Sequence, residues 1–321
     1  MNVASLGCVI IGRNEGERLV ACLRSLVQTA PLCVYVDSGS TDGSVANAKA
    51  LGVHVVELNM TVPFTAARAR NEGWRALSEL NPDLTFVQFV DGDCIVAEGW
   101  LEKGLDFLQQ NTGYAVVCGR RREKYPQRSI YNQMCDWEWD TPIGEVKACG
   151  GDALMRVTAL QQVGGYRDDL IAGEEPEMCV RLRQAGWRVY RLDAEMTLHD
   201  ANLLHFGQWW TRTVRGGHAF AEGAWLHGGA PEYHKLKETL RSIFWGASYP
   251  VVSCLLAIFL HPSWALMLFA YPVQMARFSR RRGGWPVAFF AVIGKFAELL
   301  GVLKFYNRLV IGGRRKLIEY K

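Results

Sequence analysis

The chain has 321 residues, a length that predicts one large domain with an appendage rather than a single small core. Its formal net charge of +4 is too small to indicate a nucleic-acid partner. Nine cysteines occur without a Cys-x-x-Cys pair, which argues against a zinc cluster or disulfide framework and predicts a reducing, cytosolic environment. The first residues show no signal-peptide pattern, so none is expected.

Residues 6–120 alternate between strand and helix patterns. Strands are predicted at residues 6–12, 33–39, 53–58 and 84–93, and helices at 16–30, 42–52 and 64–80. This alternation predicts an α/β fold with a doubly wound, mainly parallel sheet. A dinucleotide-binding fold would need Gly-x-Gly-x-x-Gly after the first strand. The text there is GRNEGE, which has only Gly12 and Gly16, so dinucleotide binding is not expected.

The fourth predicted strand ends in two aspartates, Asp91 and Asp93, separated by Gly92. Parallel sheets bind ligands at the carboxyl ends of their strands, and this pair would lie there. Two adjacent carboxylates repel each other, and a hard cation such as Mg²⁺ or Mn²⁺ would offset that repulsion. The alternative is a strand-end turn in which both aspartates accept hydrogen bonds from backbone amides.

The chain from residue 243 onward is apolar in three stretches, residues 243–260, 264–276 and 285–303. We expect the first two to form a membrane hairpin, although the second is short for a span. The third contains Lys295 and Glu298, and it predicts an interfacial amphipathic helix. The alternative is a buried bundle of a soluble protein.

Charge asymmetry predicts the orientation of this hairpin. Basic residues occur between the second and third stretches and again near the C-terminus, at Arg277, Arg280, Arg281, Arg282, Lys304, Arg308, Arg314, Arg315 and Lys316. They should stay on the cytoplasmic side. The predicted organisation is an α/β domain over residues 1–205, an amphipathic interface segment over 206–240 and membrane-associated helices over 241–321. This arrangement predicts a protein of the inner, cytoplasmic membrane with its α/β domain in the cytoplasm.

Six motifs occur in an order that is more specific than any one of them alone. They read CVIIGRNEGERL, VYVDSGSTDGS, ARARNEGW, FVDGD, GGDALMR and GGYRDDLIAGEEPEMCVRLR, within residues 6–200. This order resembles family 2 glycosyltransferases of the GT-A fold, the nucleotide-diphospho-sugar transferase fold. The resemblance implies a metal-dependent inverting transferase with a nucleotide-sugar donor, most often a UDP-sugar.

The resemblance also implies a donor site. Asp37 resembles the aspartate that contacts the donor base or ribose, and we expect it to make no local hydrogen bonds, unlike Asp42, which is expected to cap a helix. Arg13, Asn14 and Glu15 follow the neighbouring first strand, and loops at adjacent strand ends converge. The remaining donor-site residues implied by the resemblance are Arg70, Asn71, Asp91 and Gly92.

Asp91 and Asp93 would hold Mg²⁺ or Mn²⁺ on the donor diphosphate, and the resemblance implies a third ligand. His199, just after a predicted strand at residues 187–192, is the best-placed candidate. The alternative is a histidine with a structural role only.

The family takes its catalytic base from an acidic pair at the start of a helix. Here the pair is Glu174 and Glu175, with Glu175 at the position of the usual base and Glu174 the alternative. Acidic residues at a helix start also suit the helix dipole without any catalytic role. Gly151 and Asp152 resemble the acceptor-side turn, where Asp152 is expected to contact the sugar.

The processive members of the family carry Gln-x-x-Arg-Trp, whereas this chain has QWWTR at residues 208–212 with a different spacing. Transfer of a single sugar to a hydroxyl of a lipid-linked or cell-surface glycan is therefore expected, as in polysaccharide biosynthesis. Two alternatives remain: a polyprenyl-phosphate glycosyltransferase, and an inactive GT-A scaffold at the membrane.

Overall fold

The computed structural model describes residues 5–30, 32–280 and 283–312. The chain divides into two compact units. The first contains the chain before Pro126 together with Cys135–Ala201, and the second contains Pro126–Met134 and the chain from Asn202. The predicted boundaries after residues 205 and 240 remain predictions.

The first unit contains a nine-stranded sheet. Its strands are β1 (Leu6–Gly12), β2 (Cys33–Asp37), β3 (His54–Glu57), β4 (Phe86–Asp91), β5 (Cys94–Val96), β6 (Tyr114–Glu123), β7 (Gly144–Val146), β8 (Ala153–Arg156) and β9 (Arg188–His199). Its helices are α1 (Glu17–Leu26), α2 (Ser44–Ala50), α3 (Ala66–Leu80), α4 (Trp100–Gln110), α6 (Val157–Val163) and α7 (Glu174–Gln184), and α5 (Ile130–Glu138) begins in the second unit.

The strand order is β3-β2-β1-β4-β8-β6-β9-β5, and β7 pairs with β9. The first four strands are parallel, as predicted. Beyond them the sheet is mixed, because β8 runs antiparallel between β4 and β6, and both β5 and β7 run antiparallel to β9. The predicted parallel pairing is found where strands and helices alternate along the chain, and in the mixed half β6 and β9 are also parallel.

The register of the parallel strands gathers polar residues at one edge. Gly12 lies opposite Asp37, and Ile11 lies opposite Asp91. Every residue from Phe86 to Val90 is buried, and the polar side chain among them, Gln88, accepts a hydrogen bond from Nε1 of Trp100 and donates one to the carbonyl of Phe89. The loops after β1, β2 and β4 consequently emerge together at the carboxyl edge.

The second unit is helical. Its elements are α8 (Phe206–His227), α9 (Leu236–Ile243), a π-helical segment (Phe244–Ser248), α10 (Tyr249–Phe259), a 3₁₀ segment (Pro262–Phe269), α11 (Ala270–Phe278) and α12 (Gly284–Ile311). Two helical runs, Leu236–Phe259 and Gly284–Ile311, have the length and apolar composition to cross a membrane. The predicted second span, 264–276, is divided between the 3₁₀ segment and α11. Arg281, Arg282, Arg314, Arg315 and Lys316 fall outside the described residues.

Helix α12 packs along α8 at very short range. A Cβ atom added to Gly217 of α8 would overlap the carbonyl of Glu298, and one added to Gly301 of α12 would overlap the carbonyl of Val214. At one end of the pair, the rings of Trp209 and Phe290 lie 4.9 Å apart. Glycines at both contact points allow this approach, because any larger residue would push the backbones apart.

Candidate active site

Arg70 of α3 is the centre of the predicted site. Its Nη2 lies 2.8 Å from Oδ1 of Asp91, and its Nη1 lies 3.0 Å from Oε1 of Glu174 and 2.8 Å from Oε1 of Glu175. The Arg70 side chain is 3% exposed. One buried cation thus joins the end of β4 to the start of α7, and it compensates three carboxylates that would otherwise repel one another.

A second arginine, Arg121 of β6, completes the surroundings of Asp91. Its Nη2 lies 3.1 Å from Oδ2 of Asp91, and its Nη1 lies 3.6 Å from Oδ2 of Asp152. Burial opposes ionisation of Asp91, but the two guanidinium groups outweigh that effect and lower its pKa. The sequence reasoning missed Arg121, whose signal was an arginine run at the end of an otherwise apolar strand.

Asp93 and His199 lie together beside this cluster. The antiparallel pairing of β5 with β9 places His199 opposite Cys94, and Nε2 of His199 is 3.2 Å from Oδ1 of Asp93. The His199 ring packs edge-on against Trp139 with centroids 4.8 Å apart. Asp93 and His199 are therefore adjacent in the structure, as binding to one cation would require, although they are far apart in the sequence.

The donor atoms of this corner suit a hard divalent cation. Asp93, Cys94 and His199 each offer one ligand atom, and these atoms lie within 4.8 Å of one another. Burial raises the pKa of the Cys94 thiol, which donates to Oδ2 of Asp152 at 3.3 Å, so the oxygen of Asp93 and the nitrogen of His199 are the atoms left for a hard cation. Nε2 of His199 and Oδ1 of Asp93 are 3.2 Å apart, close enough for both to bind one cation. Asp91 falls in a second group, with Cys94 and Asp152, and its carboxylate, 26% exposed, is the one most open to an entering group.

Glu175 stands out among the carboxylates because of its pKa. Burial raises the pKa of Glu175 to about 7, and repulsion from Glu174 adds to that rise, whereas Arg70 opposes it. Both glutamates begin α7 directly after Gly173, which has a φ of 80°. A carboxylate with a pKa near neutrality can accept a proton and release it again near pH 7.

Two glycines predicted in the site lie where side chains would not fit. A Cβ on Gly151 would lie 2.7 Å from Nη2 of Arg70 and 2.9 Å from Oδ2 of Asp91. A Cβ on Gly92 would lie 3.0 Å from the carbonyl oxygen of Ile11. The structure therefore brings Gly151 directly against the arginine–aspartate pair.

Asp152 does not face an acceptor, contrary to our expectation. Its side chain is fully buried. Oδ1 accepts a hydrogen bond from the backbone N–H of Asp91 at 2.9 Å, and Oδ2 accepts one from Oγ1 of Thr197 at 2.7 Å. The prediction of direct sugar contact is wrong because Asp152 is used to fix the backbone that carries Asp91.

Asn71 is likewise turned inward, so its predicted contact with the donor is not supported. Its Nδ2 donates to the carbonyl of Tyr166 at 2.7 Å and to Oδ1 of Asp168 at 2.6 Å. Its Oδ1 accepts from the backbone N–H of Tyr166 at 3.0 Å and from Nε1 of Trp74 at 3.1 Å. Asn71 holds the loop after α6 against α3.

Asp37 makes the local hydrogen bonds that we expected it to lack. Its Oδ2 accepts from the backbone N–H groups of Gly39 at 2.9 Å and Ser40 at 2.8 Å, and its Oδ1 accepts from the Tyr35 hydroxyl at 2.8 Å. That expectation is wrong, because the carboxylate closes the turn after β2. Asp42 does bond the first amide of α2, at Ser44, at 3.0 Å.

The three residues after β1 lie in the neighbouring loop. Asn14 accepts a hydrogen bond from the N–H of Thr41 at 2.7 Å, which ties this loop to the turn after β2. Arg13 is exposed and stacks on Phe64 with its guanidinium carbon 4.7 Å from the ring centroid. Glu15 pairs with Arg18 at 2.7 Å. The loops after β1 and β2 thus form one connected edge.

Residues 8–159 match the family model described as Glycosyl transferase family 2. Glycosyltransferase AglE of Haloferax volcanii is 26% identical over 187 residues, which cover 54% of this chain and 60% of that protein. The succinoglycan biosynthesis protein ExoA of Rhizobium meliloti is 26% identical over 192 residues, covering 55% and 56%. This chain therefore matches less than two thirds of the length of these relatives.

Among solved structures, the mannosyltransferase PcManGT from Pyrobaculum calidifontis has a similar fold. It superposes with a TM-score of 0.63 at 18% identity, covering 94% of this chain and 87% of that one. That structure was determined with GDP-Man and Mn²⁺. The predicted GT-A fold is confirmed by this similarity.

Proposed function

We propose that this chain, whose residues 8–159 match the model of glycosyl transferase family 2, transfers a single sugar, with inversion, from a nucleotide-sugar donor to a hydroxyl group. The proposed acceptor is a lipid-linked or cell-surface glycan. The observation that carries the proposal is the single guanidinium of Arg70, which joins Asp91 to Glu174 and Glu175. A donor diphosphate would lie at Asp91 and an acceptor hydroxyl at Glu175, so Arg70 would lie between the two substrates.

We propose that Asp91, Asp93 and His199 hold Mg²⁺ or Mn²⁺. Such a cation, when bound, neutralises charge on the departing nucleoside diphosphate. The donor set supports this assignment, since it combines carboxylate oxygens with one imidazole nitrogen. The presence of Mn²⁺ and GDP-Man in the PcManGT structure is consistent with the same requirement in a protein of this fold.

Glu175 is the proposed base that removes the proton from the acceptor hydroxyl. An inverting transfer needs one base on the acceptor side, and its pKa should lie near the operating pH. Glu175 meets that condition, because burial and Glu174 raise its pKa to about 7. Glu174 is more deeply buried, with 6% of its side chain exposed against 12% for Glu175, which favours Glu175 as the group that reaches substrate.

The donor nucleotide would lie along the loops after β1, β2 and β4. Arg13, Asn14 and Glu15 form one side of this edge, and Asp37 fixes the turn beside them. Gly92 lets the backbone after β4 approach β1 closely. We propose uridine diphosphate as the nucleotide carrier of the sugar.

We propose that the helical unit places the enzyme at the cytoplasmic membrane, with its catalytic unit in the cytoplasm. The run Leu236–Phe259 and the following 3₁₀ segment and α11 lie antiparallel, since the Tyr249 hydroxyl donates to the carbonyl of Met267 and the Tyr271 hydroxyl to that of Trp245. A 3₁₀ helix rises about 2.0 Å per residue, so the returning segment spans roughly 30 Å despite its few residues. This geometry supports the predicted membrane hairpin.

Helix α12 is long enough to span, but its packing supports an interfacial position. It runs beside α8 from Trp209 against Phe290 to an ion pair between Glu222 and Arg308 with an N–O distance of 2.9 Å. A bilayer-spanning α12 would take the charged residues of α8 into hydrocarbon with it, which is costly. The pair is better accommodated at the surface of the membrane.

The test is thermal unfolding of the detergent-solubilised chain with a panel of nucleoside diphosphates, with and without Mn²⁺. We expect one nucleotide to stabilise the protein only with metal, by about 2.7 kcal/mol at about 100 times its Kd. Asp93→Ala should abolish that gain, whereas Asp83→Ala, which removes an exposed carboxylate elsewhere, should keep it. Lack of stabilisation by every nucleotide would instead favour the inactive scaffold.

A further inference from the structure

The continuous helix formed by α9 and the following π-helical segment presents two chemically different faces. Its inner face packs against α12, where the Ser242 hydroxyl donates to Oε2 of Glu298 at 2.5 Å and a Cβ on Gly246 would lie 2.8 Å from Cβ of Leu299. Its outer face consists of residues spaced i, i+3, i+4 and i+7: Lys237, Leu240, Arg241 and Phe244. All four are exposed, so this face remains uncovered.

The outer face lines an open groove of about 410 Å³. Its lining residues are Tyr233, Leu236, Lys237, Leu240, Arg241 and Phe244. Leu240 is 55% exposed and Phe244 is 47% exposed. Apolar side chains of this size are not left in water without a partner when they are contiguous.

The two cations of the groove are available for an anion. Within residues 5–30, 32–280 and 283–312, neither Lys237 nor Arg241 forms an ion pair, and both are exposed. The acidic residue of the helix, Glu238, is already used, because it lies 3.4 Å from Nζ of Lys235. The groove therefore combines an apolar floor with two uncompensated positive charges one helical turn apart.

The uncharged segment that follows the groove in the sequence indicates what kind of molecule binds there. The residues from Phe244 to Leu260 carry no charge, and the rise from Arg241 to Phe259 is about 27 Å. This length is close to the roughly 30 Å thickness of bilayer hydrocarbon. If the hairpin is inserted as proposed above, Lys237 and Arg241 lie at the level of the lipid headgroups.

We propose that this groove binds an anionic phospholipid of the bilayer. Its phosphate would accept hydrogen bonds from Lys237 and Arg241, and the upper part of an acyl chain would lie against Leu240 and Phe244. A neutral lipid would leave the two cations uncompensated, and an acidic protein would leave the apolar floor exposed. The inference rests on the proposed membrane insertion but not on the chemistry of the α/β unit.

The test titrates short-chain phosphatidylglycerol into the full chain in a neutral detergent and follows the thermal unfolding midpoint. We expect saturable stabilisation by phosphatidylglycerol and none by phosphatidylcholine of the same chain length. The double substitution Lys237→Gln with Arg241→Gln should weaken the apparent affinity about 30-fold, as expected for about 1 kcal/mol per basic residue at an anionic surface. High salt should reduce the affinity of the unsubstituted protein in the same direction.

The matched control removes two exposed cations from the other unit, Arg24→Gln with Lys103→Gln, and should leave lipid binding unchanged. Equal stabilisation by both phospholipids would overturn the proposal, as would an unchanged affinity in the K237Q/R241Q protein. Stabilisation by a short polyprenyl phosphate but not by phosphatidylglycerol would also overturn it and would assign the groove to a lipid-linked acceptor. Both double variants should retain nucleotide-dependent stabilisation, so failure of this inference is distinguishable from failure of the proposed function.

Discussion

The α/β unit buries several charged side chains, whereas the helical unit exposes large apolar ones. In the α/β unit, Arg70 and Asp152 are almost inaccessible to solvent, and their charges are compensated by partners within hydrogen-bonding distance. In the helical unit, Ile258, Phe259 and Val310 are 73%, 76% and 86% exposed. The first arrangement keeps buried charges paired at the edge of a sheet, and the second leaves large apolar side chains exposed, which is consistent with the proposed contact with lipid.

The buried charges of the two units also have different partners. In the α/β unit, the charged side chains meet at the edge of the sheet, and Asp91 remains open to an entering group. In the helical unit, Glu222 pairs with Arg308 between two helices that glycines bring together. Buried charge therefore serves a reacting site in one unit and helix packing in the other.

The largest expected effect separates the two glutamates of the α/β site. Glu175→Gln removes the proposed base, and we expect kcat to fall by about 10²–10⁴-fold. The wild-type kcat/KM should decline as the pH falls below about 7, because the pKa of Glu175 is raised and only its ionised form accepts a proton. The measurement is the pH profile of kcat/KM for both proteins.

Glu174→Gln is the comparison for that substitution. Removing the Glu174 charge takes away repulsion that raises the pKa of Glu175, so the midpoint of the profile should move to lower pH while most activity is retained. The opposite ranking, with Glu174→Gln nearly inactive and Glu175→Gln active, would assign the base to Glu174.

A second prediction tests the packing of the α/β site with two adjacent glycines. Gly151→Ala adds a methyl group 2.7 Å from Nη2 of Arg70 and 2.9 Å from Oδ2 of Asp91, so these side chains must move apart. Because both atoms are side-chain termini, the fold should survive while activity falls about 100-fold. Activity and unfolding temperature are measured for Gly151→Ala and for Gly150→Ala, whose added methyl group has no atom within 4 Å. Equal activity of the two variants would remove Gly151 from the site.

The sequence predicted the fold best where strands and helices alternate along the chain. The strands from β1 to β4 show this alternation, and the structure confirms them. The insertion of β8 between β4 and β6 was not predictable from the sequence, because it depends on pairing between segments that are distant in the chain.

The sequence indicated site residues whose type and place in a motif define their role. It misjudged residues whose role depends on the direction in which the side chain points. Asp91, Asp93 and the acidic pair were identified because they occur in the order of the family's motifs, and the structure brings Asp91 and the acidic pair to Arg70. Asn71 follows Arg70 directly, yet it points into the protein while Arg70 points to the carboxylates. A motif shows which residues occur in order but not on which side of the backbone each one lies.

The smallest expected effect tests the helical unit with the same kind of glycine pair. Gly217→Ala places a methyl group against the backbone of Glu298 in α12, and backbone cannot move aside as a side-chain terminus can. We expect a loss of about 1–3 kcal/mol in the free energy of unfolding, from overpacking between α8 and α12.

Gly216→Ala is the control for that helix, since its added methyl group has no atom within 4 Å. Alanine favours the helix over glycine by up to about 1 kcal/mol, so this neighbour should be neutral or slightly stabilised. Unfolding is followed in detergent by the loss of helical circular dichroism for both variants. Equal stability would show that α8 and α12 separate easily, which would withdraw the packing argument for α12 at the membrane surface and allow it to span.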